Sequence, residues 1–117
     1  MKIEADARLV TVYVNSTDQW HGRALYSAIV QLCQQHGIAG ATVTRCMEGY
    51  GAHRHLHTTR LLELAANLPV RIEIIDLAER IEPLLPVLGT MIGEGLVTVQ
   101  VVHTLKFVTG PRPDRGA

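Results

Sequence analysis

A chain of 117 residues and 12.9 kDa has room for one core and not for two. Lysine plus arginine and aspartate plus glutamate balance at 11 each, so the basic excess that drives counterion-release binding is missing and no nucleic-acid partner is expected. Hydrophobic residues make up 47% and charged residues 19%, yet charges interrupt each apolar run before the roughly 20 residues of a bilayer span, which points to a soluble, self-associating domain.

The first ten residues, MKIEADARLV, have neither an apolar h-region nor a small-residue cleavage site. Cys33 and Cys46 are too few for a disulfide framework, and the expectation is a cytoplasmic protein with reduced thiols. Residues 8–14, RLVTVYV, alternate and are β-branched, as a half-buried strand is. After the polar NSTDQ, residues 21–36 place Leu25, Ala28, Ile29, Leu32 and Cys33 at helical spacing with Gly37 as the stop, which predicts a first helix with Cys33 in the core. A second strand is expected around Val43 and a third over residues 68–76, LPVRIEIID. Residues 77–92 carry Ile81, Leu84, Leu85, Leu88, Met91 and Ile92 at helical spacing, with Pro83 either in a first turn or at a break. LVTVQVVHTLKFV from residue 96 onward reads as a long last strand, and the Pro/Gly-rich residues 110–117 as a disordered tail.

The order β-α-β-β-α-β is that of the α+β, ferredoxin-like split βαβ arrangement, an antiparallel four-stranded sheet with two helices on one face. Apolar residues fall on both sides of the third and fourth strands, so the uncovered face calls for an oligomer.

Five runs carry a family likeness: HGRALY (21–26), GIAGATV (37–43), GYGAHRHLHT (49–58), NLPVRIEIID (67–76) and GEGLVT (93–98). In this order they resemble the PII-like proteins of the domain-of-unknown-function 190 family. The resemblance implies a PII-like trimer over residues 1–109, related in fold to PII nitrogen-signalling proteins and CutA. It implies that residues 47–66 correspond to the T-loop that meets partners; members of the family are often encoded beside fluoride exporters. The chain also departs from the pattern. PII proteins carry a Gly-Asp-Gly-Lys turn whose lysine holds nucleotide phosphates, where this chain has Gly93, Glu94, Gly95 and Leu96; His103 and Lys106 are the nearest cations after it. Ala24 and Cys46 stand where the family usually has proline and glycine.

Candidate ligand residues cluster in GYGAHRHLHTTR, residues 49–60. Gly49 and Gly51 around Tyr50 allow an anion to approach backbone N–H groups; the bland reading is a tight strand exit. Arg45 and Arg60, with Arg54 between, offer guanidinium forks suited to phosphate, or are simply solvated. His53, His55 and His57 would share one face of an extended segment and suit Zn, Ni or Cu(II). His57 alone falls in the family-like LHT, where it contacts a ligand or fixes the loop through a carbonyl. His21 is placed at the start of helix one, where free N–H groups favour an anion. Trp20 is a stacking platform for a base or a packing residue. No nucleophile with base and orienter and no Walker loop is found. The expectation is a non-enzymatic sensor that needs no cofactor and binds an adenine nucleotide at inter-subunit clefts, with Gly93 and Gly95 at the phosphate turn, so as to regulate a transporter or another protein. The alternative is a CutA-like protein that binds a divalent metal through its histidines, and an enzyme acting on a small phosphorylated compound comes third.

Overall fold

The computed structural model describes residues 1–50 and 67–110, together with the backbone of 57–58. The expectations for Gly51, His53, Arg54, His55 and Arg60, and for the tail beyond Gly110, lie outside the described residues. In chain order the elements are β1 (Lys2–Asn15), β2 (Gln19–Trp20), β3 (Arg23–Ala24), α1 (Leu25–Gln35), β4 (Gly40–Arg45), β5 (Glu48–Gly49), β6 (His57–Thr58), β7 (Pro69–Asp76), α2 (Ala78–Ile81), α3 (Leu84–Met91) and β8 (Leu96–Phe107).

The alternating, β-branched runs pair into one sheet of order β4-β7-β1-β8, antiparallel throughout. This is the expected α+β, ferredoxin-like arrangement. Cross-strand partners share a face, and the rows Val10 with Ile74, Val12 with Ile72 and Val14 with Val70 all turn toward the helices. Leu25, Ala28, Ile29 and Cys33 of α1 close over them, with Ile81, Leu84, Leu88 and Met91 from α2 and α3. Burying each large aliphatic side chain contributes about 1.5–3 kcal/mol. The same burial pushes the Cys33 thiol up to about 11.

Three boundaries differ from the sequence-based expectation. β1 starts at Lys2 rather than Arg8, because the long β8 continues to pair with it from Ala7 and Val102 out to Lys2 and Phe107. The first helix starts at Leu25 rather than His21. His21 and Gly22 both take positive φ, 49° and 81°, as the two-residue turn of the β2-β3 hairpin, where a type I′ turn demands φ above zero at both positions. The second helix is two pieces, since Pro83 stands at the N-cap of α3 and breaks the run.

The end of α1 is tied to the sheet. Ile38 N–H reaches the Cys33 carbonyl (3.0 Å) and Gly37 N–H the Gln34 carbonyl (3.1 Å), which is the Schellman pattern. Arg80 Nη2 donates to the carbonyls of His36 (3.0 Å) and Gly37 (2.8 Å). Asp76 accepts from the N–H groups of Ala39 (2.9 Å) and Leu77 (2.7 Å) and lies 3.8 Å from Arg80 Nε. The helices stop short of β8, so its helix-side Val97, Val99 and Val101 stay 36%, 47% and 69% exposed. The reverse face of the sheet is more mixed than the expected apolar surface, with Leu9, Thr11 and Tyr13 beside Ile75, Glu73 and Arg71.

Candidate functional site

A cleft of about 1180 Å³ opens at the end of the sheet where β1 and β7 meet the turn into β8. Its floor is fixed by short-range chemistry. Asn15 N–H donates to Asp18 Oδ2 (2.9 Å) and Asp18 N–H to the Asn15 carbonyl (3.1 Å), which turns the chain after β1. Ser16 N–H reaches the Leu68 carbonyl (2.8 Å) while Leu68 N–H reaches Ser16 Oγ (2.9 Å), and Thr17 Oγ1 donates to Asn67 Oδ1 (2.9 Å). The Asp18 carbonyl accepts from Leu25 N–H (2.8 Å) and so holds the first turn of α1, which has no side-chain cap. Across the cleft, Cys46 N–H donates to the Pro69 carbonyl (2.9 Å), extending the β4-β7 ladder by one bond before the chain leaves the sheet.

Two glycine segments predicted as ligand contacts, more than forty residues apart in the sequence, meet here. Gly49 and Tyr50 form one side, and Gly93, Glu94 and Gly95 the other. Gly49 pairs with His57 in the β5-β6 ladder, so the backbone of His57 is brought beside the cleft as well. Gly95 is a glycine for a steric reason: a Cβ there would stand 2.9 Å from the Tyr13 carbonyl oxygen and 3.1 Å from Ile92 Cγ2. A Cβ at Gly93 would meet nothing within 4 Å.

The other predicted residues are placed elsewhere. Arg45 is exposed at the end of β4, paired with Val70, and does not line the cleft. His21 sits in the hairpin turn, its ring stacked on Trp20 at 4.1 Å and 16°, and neither ring lines the cleft. His103 is far along β8, with Nδ1 3.0 Å from Asp6 Oδ1 and Nε2 3.8 Å from Glu4 Oε2; the hydrogen bond its ring donates to the Asp6 carboxylate raises its pKa above the ordinary value. Lys106 pairs with Ile3 on the same ribbon. Sequence reasoning missed Tyr13, Asp18 and Thr98, which the topology rather than any motif carries into the lining.

The electrostatics are one-sided. The charged residues among the described lining are Asp18, Glu48 and Glu94, and no lysine, arginine or histidine is among them. Glu48 and Glu94 each have a partner already. Among the described residues no group of three or more histidine, cysteine, aspartate or glutamate side chains is placed to hold a metal ion, and no helix is long and apolar enough to cross a membrane. The Cys46 thiol lies 4.0 Å from the Thr44 carbonyl.

Comparison with known proteins gives this geometry a setting. The family model DUF190, described as an uncharacterized ACR, matches residues 7–104. A UPF0166 protein of Methanocaldococcus jannaschii is 34% identical over 104 residues, 88% of this chain and 95% of that one. A UPF0166 protein of Aquifex aeolicus is 29% identical over 98 residues, 84% of this chain and 92% of that one. Among solved structures, CPII from Thiomonas intermedia K12, a nitrogen regulatory PII-like protein bound to ADP, AMP and bicarbonate, aligns at a TM-score of 0.66 with 16% identity, over 87% of this chain and 91% of that one. CutA from Synechococcus elongatus aligns at 0.55 with 17% identity, over 89% and 85%. The two structural likenesses establish a shared PII-like fold, and with the family model spanning most of the sheet and all three helices, the chain belongs to the DUF190 family.

Proposed function

We propose that the chain is a non-enzymatic PII-like signalling or sensor protein. It assembles as a homotrimer, binds an adenine nucleotide in clefts between subunits, and passes that event to a partner such as a membrane transporter through residues 47–66. The observation that carries the reading is the meeting of Gly49 and Tyr50 with Gly93, Glu94 and Gly95 at one cleft, although more than forty residues separate them. A shared fold with CPII, which holds ADP, AMP and bicarbonate, supports the same reading.

The chemistry divides the effector between two kinds of wall. Tyr13, 41% exposed, and Tyr50, 68% exposed, present rings to an adenine or ribose. The turn through Gly93 and Gly95 offers backbone N–H groups to phosphate without a lysine. Because the charged lining is carboxylate, phosphate charge has to be balanced by Arg60 or Arg54, or by a neighbouring subunit. Effector contacts at Cys46, Glu48 and Gly49 lie at the root of residues 47–66, so that segment is where occupancy is reported.

A thermal-shift panel tests it. ADP, AMP and ATP are expected to raise the melting temperature, with about 2.7 kcal/mol of stabilisation at a hundredfold excess over Kd. A rise with Zn, Ni or Cu(II) and none with nucleotides would replace this reading with the metal-binding one.

A further inference from the structure

Where β7 ends, the sheet narrows to two strands. β7 pairs with β1 from Arg8 onward, so residues 2–7 of β1 and 102–107 of β8 pair only with each other among the described residues. A ribbon of two strands is marginally stable in water. Beyond its ladder, this one is fastened by short-range contacts. The Met1 ammonium donates to the Val108 carbonyl and Val108 N–H to the Met1 carbonyl, both at 2.9 Å, and Thr104 Oγ1 donates to the Ala5 carbonyl (2.9 Å).

The remaining fastening is a side-chain cluster on the face that carries Lys2, Glu4 and Asp6 of β1 and His103, Leu105 and Phe107 of β8. His103 stands directly across from Asp6. Its Nδ1 lies 3.0 Å from Asp6 Oδ1 and its Nε2 3.8 Å from Glu4 Oε2, while Lys2 Nζ lies 3.3 Å from Glu4 Oε1. Both ring nitrogens therefore face a carboxylate. A neutral imidazole has one N–H, so one nitrogen would turn its lone pair toward a negative charge, whereas the imidazolium offers a donor to each. Without that cation, Glu4 and Asp6 are like charges on one face of one strand, and Lys2 alone offsets them.

We propose that a proton on His103 clamps the ribbon, the imidazolium tying β8 to both Glu4 and Asp6 of β1, and that the ribbon loosens when this proton leaves. The other charges nearby are engaged elsewhere or face away. Arg8 is next on the same face, with Nη1 3.3 Å from the Ala7 carbonyl, and Lys106 is on the opposite face, across from Ile3. α2 packs against β1, where Arg80 faces Asp76; among the described residues Asp6 and Glu4 act on His103, and Glu79 and Glu82 do not. The hydrogen bond to Asp6 is the largest of the effects that raise the His103 pKa. The clamp is therefore complete below about pH 6.5 and is lost as pH rises through the raised value. The proton thereby controls the order of the surface that presents Leu105 and Phe107, 50% and 73% exposed. This device is separate from the nucleotide cleft, which takes Leu96 and Thr98 from the other end of β8.

Amide hydrogen exchange followed by NMR tests it. The wild type, His103→Gln and His103→Lys are compared at about pH 5.5 and about pH 8.5, on either side of the reference imidazole value. Each rate is corrected for intrinsic exchange, and the amides of Val70, Ile72 and Ile74 in β7 report that the fold is intact. At the higher pH the wild-type ribbon amides should lose about two- to fivefold in protection, the scale of exposed ion pairs, while the β7 amides hold. Molar NaCl should shrink the loss. His103→Gln, which cannot titrate, should show the lower protection at both pH values, and His103→Lys, a cation at both, the higher. Ribbon amides equally protected at both pH values in the wild type, or unprotected at both, overturn the proposal. So does a His103→Gln or His103→Lys ribbon that still loosens as the wild type does, since another group, such as the Met1 amine, would then hold the proton.

Discussion

Replacing Gly95 by alanine tests whether the turn into β8 is held against the central strand as described. The added Cβ would stand 2.9 Å from the Tyr13 carbonyl oxygen, 3.1 Å from Ile92 Cγ2 and 3.4 Å from Val14 Cγ1. Ile92 can yield by a few tenths of an ångström. Tyr13 cannot, because its backbone is held on both sides, by Arg71 of β7 and Leu96 of β8. The turn must lift instead, and overpacking of this kind costs about 1–3 kcal/mol. Gly93→Ala is the internal control, since its Cβ meets nothing within 4 Å and the change should stay within about 1 kcal/mol of wild type, if anything stabilising through the unfolded state. Urea unfolding at fixed protein concentration reads the difference. With a typical slope near 1.5 kcal/mol per molar, a loss of about 2 kcal/mol lowers the midpoint by roughly 1 M. Equal midpoints for Gly95→Ala and wild type, or a Gly93→Ala variant that is hurt as much, would refute the steric argument.

Further outcomes are expected. Asp76→Ala removes the acceptor of two backbone N–H groups and the carboxylate 3.8 Å from Arg80 Nε, for a loss of about 1–2 kcal/mol by the same unfolding assay. His103 should titrate above its ordinary value because of its hydrogen bond to Asp6. A raised folded pKa means that the stabilisation is fully present below about pH 6.5 and is lost as pH rises through the raised value. Ring-proton NMR titration should show the His103 pKa falling in Asp6→Asn. Arg60→Ala should weaken ADP binding by about 1.5–3 kcal/mol, the range for a hydrogen bond to a charged group. Arg45→Ala should matter less, since Arg45 does not line the cleft; calorimetry on both variants checks the order.

The fold is legible because its central strands keep a strict period. Val70, Ile72 and Ile74 alternate with Arg71, Glu73 and Ile75, and that alternation is the observed division between the helix face and the reverse face. The N-terminal half of β1 is not legible, since KIEADA has little β character of its own and becomes a strand only through pairing with β8. The start of the first helix is hidden because His21 is not among the residues that usually announce a primed turn, so the His-Gly pair reads as a helix entry. Pro83 is readable as a break or a first turn, and in the structure it both interrupts the helical run and caps the N-terminus of α3. At the cleft, paired glycines give Gly49, Gly93 and Gly95 away. Tyr13 and Asp18 carry no local signature, and only the sheet order brings them to the same place.

The central claim is that a small anionic nucleotide occupies the cleft at the Gly49 and Gly95 ends of the sheet. Isothermal titration of ADP into the assembled wild-type protein tests it most directly. The account predicts saturable binding with one site per chain, displaced by AMP. An absence of binding heat at several temperatures with ADP, AMP and ATP alike, from a protein shown to be folded, would contradict it.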